Sequence, residues 1–166
     1  MKPNSGMKRM TLALASMAAV TLATAGFAAQ GDAHEHEHGA AQVHQLKLNA
    51  GKKWGTDASL RKGMSEIRAL LAARHDAIHQ DKMRAADYTA LGAKIEGQIG
   101  YIVQNCKLDP EADANLHLIL EDLVAGADAM QGKTTELTPQ AGAGRIVAGL
   151  SNYGKYFDHP GWRPLD

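Results

Sequence analysis

The sequence predicts an all-α fold, an up-down-up-down four-helix bundle, on three observations. Four segments beyond residue 45 place apolar residues at alternating steps of three and four, as a helix with one buried face requires. No segment alternates with period two over a useful length, so no sheet is expected. Two segments open on a capping residue followed by proline, Asp109-Pro110 and Thr138-Pro139. Proline's missing N–H costs nothing at a first helical position. Four helices of about 20 residues with short connections pack most simply as antiparallel neighbours.

The first helix is expected to start at Thr56 or Asp57, either of which can accept from the free amides of the first turn. Its stripe is Leu60, Met64, Ile67, Leu71 and Ile78. The second runs from about Ala85 to Cys106 with the inward stripe Tyr88, Leu91, Ile95, Ile99, Ile102 and Cys106, and with no clear cap before it. The third turns Leu116, Leu120, Leu123, Ala127 and Met130 inward, with His117 and Val124 beside them, and Gly132 ends it. The fourth carries Ala143, Ile146, Leu150, Tyr153 and Phe157 and stops before Pro160.

Ahead of the bundle, residues 1–28 read as an export signal. Lys2, Lys8 and Arg9 precede the uncharged apolar run Leu12 to Ala25, and Gly26-Phe27-Ala28 offers small residues for cleavage after Ala28. The run is Ala-rich and shorter than the roughly 20 residues of a spanning helix, so a periplasmic protein with no membrane span after cleavage is expected. Residues 29–45 are polar, hold His34, His36, His38 and His44, and are expected to be a disordered tail. The bundle then occupies residues 46–166.

The whole chain has 18 basic and 18 acidic residues. Loss of residues 1–28 removes three basic residues and no acidic one, which leaves a mildly acidic protein. Nucleic acid is a poor partner for such a surface, because phosphate contacts need a basic patch. Cys106 is the only cysteine. In an oxidising compartment it is a buried apolar side chain, a metal ligand or an intermolecular crosslink.

Chemistry is sought where the topology gathers ligands. Met64 lies seven residues after Asp57 and His117 seven after Pro110, so at 1.5 Å per residue both sit about 10 Å below one end of the bundle. Cys106 ends the second helix, and His159 follows the fourth, at that same end. Met, His and Cys suit copper(I), and Met with His also suits haem iron. Each also has an ordinary reading, as core packing or as a hydrogen-bonded edge residue.

Gly63, Gly97, Gly100, Gly149 and Gly154 fall near that level, which means either close helix packing or room for a macrocycle or metal. Trp54 and Trp162 flank the bundle and are placed to cover its end. The run His34-Glu35-His36-Glu37-His38 alternates imidazole with carboxylate and can chelate Zn²⁺, Cu²⁺ or Ni²⁺ without a preformed site. His75 and His79 have the i, i+4 spacing of a clamp but are read mainly as solvated surface. No Cys-x-x-Cys-His occurs for covalent haem, and no phosphate loop or nucleophile with a base is found, so an enzyme is not expected.

The run Leu48-Asn49-Ala50-Gly51-Lys52-Lys53-Trp54-Gly55-Thr56-Asp57, the turn Asn105-Cys106-Lys107-Leu108 and the end Phe157-Asp158-His159-Pro160-Gly161-Trp162 resemble small exported proteobacterial proteins of the DnrO-like type. The resemblance spans roughly Leu46 to Asp166 and implies a periplasmic helical bundle without a firmly assigned activity. In architecture the chain is also similar to cytochrome b562, whose haem iron is held by a Met on the first helix and a His on the last. Met64 fits that pattern; the fourth helix has no internal His, and His117 on the third would have to substitute. The expected function is a transition-metal protein, copper first, for buffering or delivery, with Met64, His117, Cys106 and His159 as core ligands. A b-type haem electron carrier and a metal-free protein with a periplasmic partner are the alternatives.

Overall fold

A computed structural model describes residues 45–165. The described residues lie within one compact unit. They are all-α: α1 Ala58–Ala72, α2 His75–His79, α3 Ala85–Asn105, α4 Pro110–Met130 and α5 Pro139–Tyr156. Only two isolated bridges, Asn49 with Lys52 and Trp54 with Phe157, add β character among them. No helix of the described residues is long and apolar enough to cross a membrane. The expected export signal, and His34, His36, His38 and His44, lie outside the described residues.

The expected caps account for most boundaries. Asp57 Oδ1 accepts from the Leu60 amide at 2.7 Å and starts α1. Thr138 Oγ1 accepts from Ala141 at 3.2 Å and starts α5. Asp109 precedes Pro110 as expected, but its side chain makes no capping bond. The start of α3 is set by an exposed pair, with Asp87 accepting from the Arg84 amide and guanidinium. Gly132 closes α4 with φ +72°, a left-handed position that glycine reaches without strain.

One boundary departs from the sequence reading. The first helix stops at Ala72, and His75–His79 forms a separate single turn. No proline or glycine marks the break. The buried stripe runs Leu60, Met64, Ile67, Leu71, and the next core-facing positions are Arg74 and His75, which cannot enter an apolar core. The Arg74 amide then bonds Leu71 O, tightening the chain from four-residue to three-residue spacing. Ile78 packs only partly buried against the core from α2.

The core joins α1, α3, α4 and α5, with the most extensive interface between α4 and α5. That pair approaches closely because glycines face each other. A Cβ on Gly126 would lie 2.6 Å from Gly142 O, and one on Gly142 would lie 2.6 Å from Gly126 O. All the fully buried large side chains are apolar apart from the Tyr153 hydroxyl.

Candidate metal centre

At one end of the domain, three segments distant in sequence are drawn together by hydrogen bonds. The Trp54 amide donates to Tyr156 O at 2.8 Å, and Asp158 N donates to Trp54 O at 2.8 Å. Thr56 Oγ1 donates to Asp158 O at 2.6 Å. The second carboxylate oxygen of Asp57 accepts from the Lys107 amide at 2.7 Å, tying the start of α1 to the turn after α3. Residues 48–57, 105–108 and 157–162 therefore converge here.

Beneath this seam lies an aromatic cluster. Tyr153 stacks on Phe157 with centroids 5.5 Å apart, and meets Trp162 and His159 edge-on at 4.8 and 5.7 Å. Trp162 packs against Gly154, where a Cβ would come within 2.6 Å of the indole. The Tyr153 hydroxyl is 2.9 Å from His159 Nδ1. Burial pushes the phenol pKa up, and burial followed by the nearby Arg61 charge pushes that of His159 down, so the pair is neutral at pH 7. Which of the two donates is set by the imidazole tautomer, since a hydroxyl can both donate and accept.

The residues expected as ligands do not assemble into one site. Met64 is fully buried among apolar side chains. His117 points outward, its side chain 60% exposed, with Nδ1 2.9 Å from Asp113 O. The error was rotational. At about 100° per residue His117 lies about 120° from the middle of the α4 stripe, so its shared height with Met64 does not bring the two together. The same rotation exposes Val124, while Ile119, omitted from the expected stripe, is fully buried. Cys106 is the C-cap of α3 and not an inward helix position. Burial first, then the charges of Asp57 and Asp113, push its thiol up to about 11, so it stays protonated at neutral pH. A thiolate ligand there would first have to lose that proton. His159 belongs to the tyrosine pair.

The glycines decide between packing and cofactor space. Cβ atoms on Gly63, Gly149 and Gly154 would meet Ile102, Leu123 and Trp162 at 2.3–2.8 Å, whereas Gly97 and Gly100 face open space. The room these glycines leave inside the domain is already taken by side chains. A recess of about 670 Å³ beside α4 is lined by Gln45, residues 47–50, Trp54, Asn115 and Leu118 among others and offers no Met, His or Cys. His159 borders a recess of about 170 Å³ with Ser65, Arg68, Trp162 and Arg163. Haem therefore does not fit Met64 and His117 as they stand. Among the described residues no three His, Cys, Asp or Glu side chains converge on one point.

His75 and His79 lie outside the core, as expected, with His79 exposed and His75 half-buried, and their rings are in contact, centroids 4.3 Å apart. Comparison with protein-family models, curated proteins and solved structures gives no match.

Proposed function

We propose that the chain is an exported up-down-up-down four-helix bundle that binds a transition metal, copper first, for buffering or delivery, through ligands outside its core. The observation that carries this is the run His34-Glu35-His36-Glu37-His38 with His44 close behind. Imidazole and carboxylate donors at this density favour Cu²⁺ among the common divalent ions, by the ordinary affinity order. Two features of the bundle support a carrier reading: its interior is filled by apolar side chains, and its exposed histidines are left on the surface. The kinship with DnrO-like exported proteins is part of the proposal, supported by the convergence of the three resembling segments at one end of the domain.

The test is a competition titration of the full chain with Cu²⁺ against a chromogenic chelator, wild type beside a variant with His34, His36, His38 and His44 replaced by alanine. The expected result is at least one Cu²⁺ equivalent lost, or its affinity lowered tenfold or more. Unchanged stoichiometry and affinity would remove the tail from the function.

A further inference from the structure

We infer that residues 159–165 form an acid-sensitive clasp: protonation of His159 loosens the segment from the end of the domain and admits water to the Tyr153 and Trp162 rings, while the helices stay folded. This goes beyond the metal reading and does not rest on it, because the proposed ligands lie elsewhere in the chain.

The segment doubles back over the domain on few attachments. Gly161 takes φ +78°, a left-handed position that lets the chain reverse, and the Trp162 amide closes the turn on His159 O at 3.0 Å. Trp162 then packs against Gly154, and Leu165 lies partly buried against the core. The Arg68 guanidinium of α1 donates to the Arg163 and Pro164 carbonyls. Among the described residues, His159 is the one side chain of the segment that hydrogen-bonds outside it, with Nδ1 2.9 Å from the Tyr153 hydroxyl. The Trp162 indole N–H is buried without a partner among those residues. The segment is therefore held by Arg68, by apolar contact and by one titratable side chain.

A proton on His159 acts against that hold. An imidazolium carries hydrogen on both nitrogens, so it cannot accept the proton of the Tyr153 hydroxyl, and Tyr153 is fully buried. The new charge also has poor surroundings. His159 is half-buried, with the Tyr153 and Trp162 rings centred 5.7 and 5.0 Å from its own. Among the charged groups, Arg61 on α1 opposes the proton and Asp158 favours it, while Arg68 on α1 and Arg163 share its recess with Ser65. The Asp57 carboxylate and the Cys106 thiol stand near Tyr153. Burial leads the balance and holds the folded ring below the ordinary imidazole range. Opening returns the ring to water and to that range, so the open form binds the proton more readily and acid favours it. The Asp158 amide on Trp54 O and Thr56 Oγ1 on Asp158 O do not involve the imidazole, which sets the limit of the opening at residue 159.

The two tryptophans of the chain give paired probes. Trp54 Nε1 donates to Lys47 O at 2.6 Å, outside the clasp, whereas Trp162 belongs to it. The indole ¹H–¹⁵N resonances of the full chain, assigned with Trp162→Phe, are followed from about pH 7.5 to about pH 5, which brackets the imidazole range. The expected result is that protection of the Trp162 indole from solvent exchange falls about fivefold or more, while Trp54 and the helix amides change by less than about twofold. The midpoint should lie below about 6.5 and coincide with the titration of the His159 ring itself, a check that needs no variant. His159→Gln stays neutral and keeps a hydrogen-bonding side chain, so it should hold the Trp162 protection at its neutral-pH value throughout; His117→Gln should respond to acid as wild type does. Unchanged Trp162 protection in acid would overturn the inference, as would the same fall in His159→Gln or a midpoint apart from that of the His159 ring. A fall shared by Trp54 and the helix amides would overturn it too, since that is unfolding of the whole domain.

Discussion

The two ends of the helical domain are closed by different physics. At the end where α1 begins, side chains of one segment, residues 53–57, bond to the backbone of others: Asp57 to Leu60 and Lys107, Thr56 to Asp158, Lys53 Nζ to Gly154 O. At the end where α4 gives way to α5, closure is steric, with the backbones of Gly126 and Gly142 in direct approach. The contrast also sorts the histidines. His159 is absorbed by Tyr153 at the first end, whereas the second leaves His75 and His79 on an outlying turn.

The sharpest way to break the comparison is at Asp57. Asp57→Ala removes a helix cap and a charged hydrogen bond to a second segment, and should cost about 2–3 kcal/mol in urea unfolding. A loss below about 0.5 kcal/mol would show that the seam is ornamental. At the opposite end Gly142→Ala should cost about 1–3 kcal/mol, because its Cβ meets the Gly126 carbonyl and has no side chain to push aside. Gly97→Ala faces open space and should stabilise by up to about 1 kcal/mol. Equal effects at Gly142 and Gly97 would contradict close packing as the role of the α4–α5 glycines.

Much of this architecture was legible. Leu60, Met64, Ile67 and Leu71, the α3 stripe from Tyr88 to Ile102, and the caps Asp57 and Thr138 follow from periodicity and turn chemistry, and all are found in place. The break after Ala72 was not marked by a breaker; it follows from the absence of an apolar anchor at Arg74 and His75. The candidate site was misread because height along a helix was used without angle about it. One residue separates Leu116, which is buried, from His117, which is not. The Tyr153–His159 pair was hidden for another reason: His159 reaches it from beyond the helix, by a chain reversal that helical periodicity does not describe.

Acid should sharpen the comparison further. The folded pKa of His159 lies below that of the unfolded chain, so the unfolded state binds the proton more readily. The stability tied to the neutral ring is complete above the ordinary imidazole value of about 6.5 and is lost as pH falls through the folded value. Melting temperature should therefore drop as pH falls below about 6.5 in the wild type, and less steeply in His159→Gln. The smallest stability effects belong to the other histidines. His75→Ala and His79→Ala should each change unfolding free energy by no more than about 0.5 kcal/mol, as expected for residues outside the core.

The central claim of the proposal is that metal chemistry lies on the tail histidines and not in the core. Copper competition titrations of the full chain, with Cu⁺ and with Cu²⁺, test it most directly when Met64→Leu and His117→Phe are set beside a variant lacking His34, His36, His38 and His44. The account predicts that the first two keep wild-type affinity and stoichiometry within about twofold, while the histidine-poor variant loses at least tenfold in Cu²⁺ affinity, about 1.4 kcal/mol. A tenfold loss in folded Met64→Leu, with the histidine-poor variant binding as wild type does, would contradict it and return the site to the core.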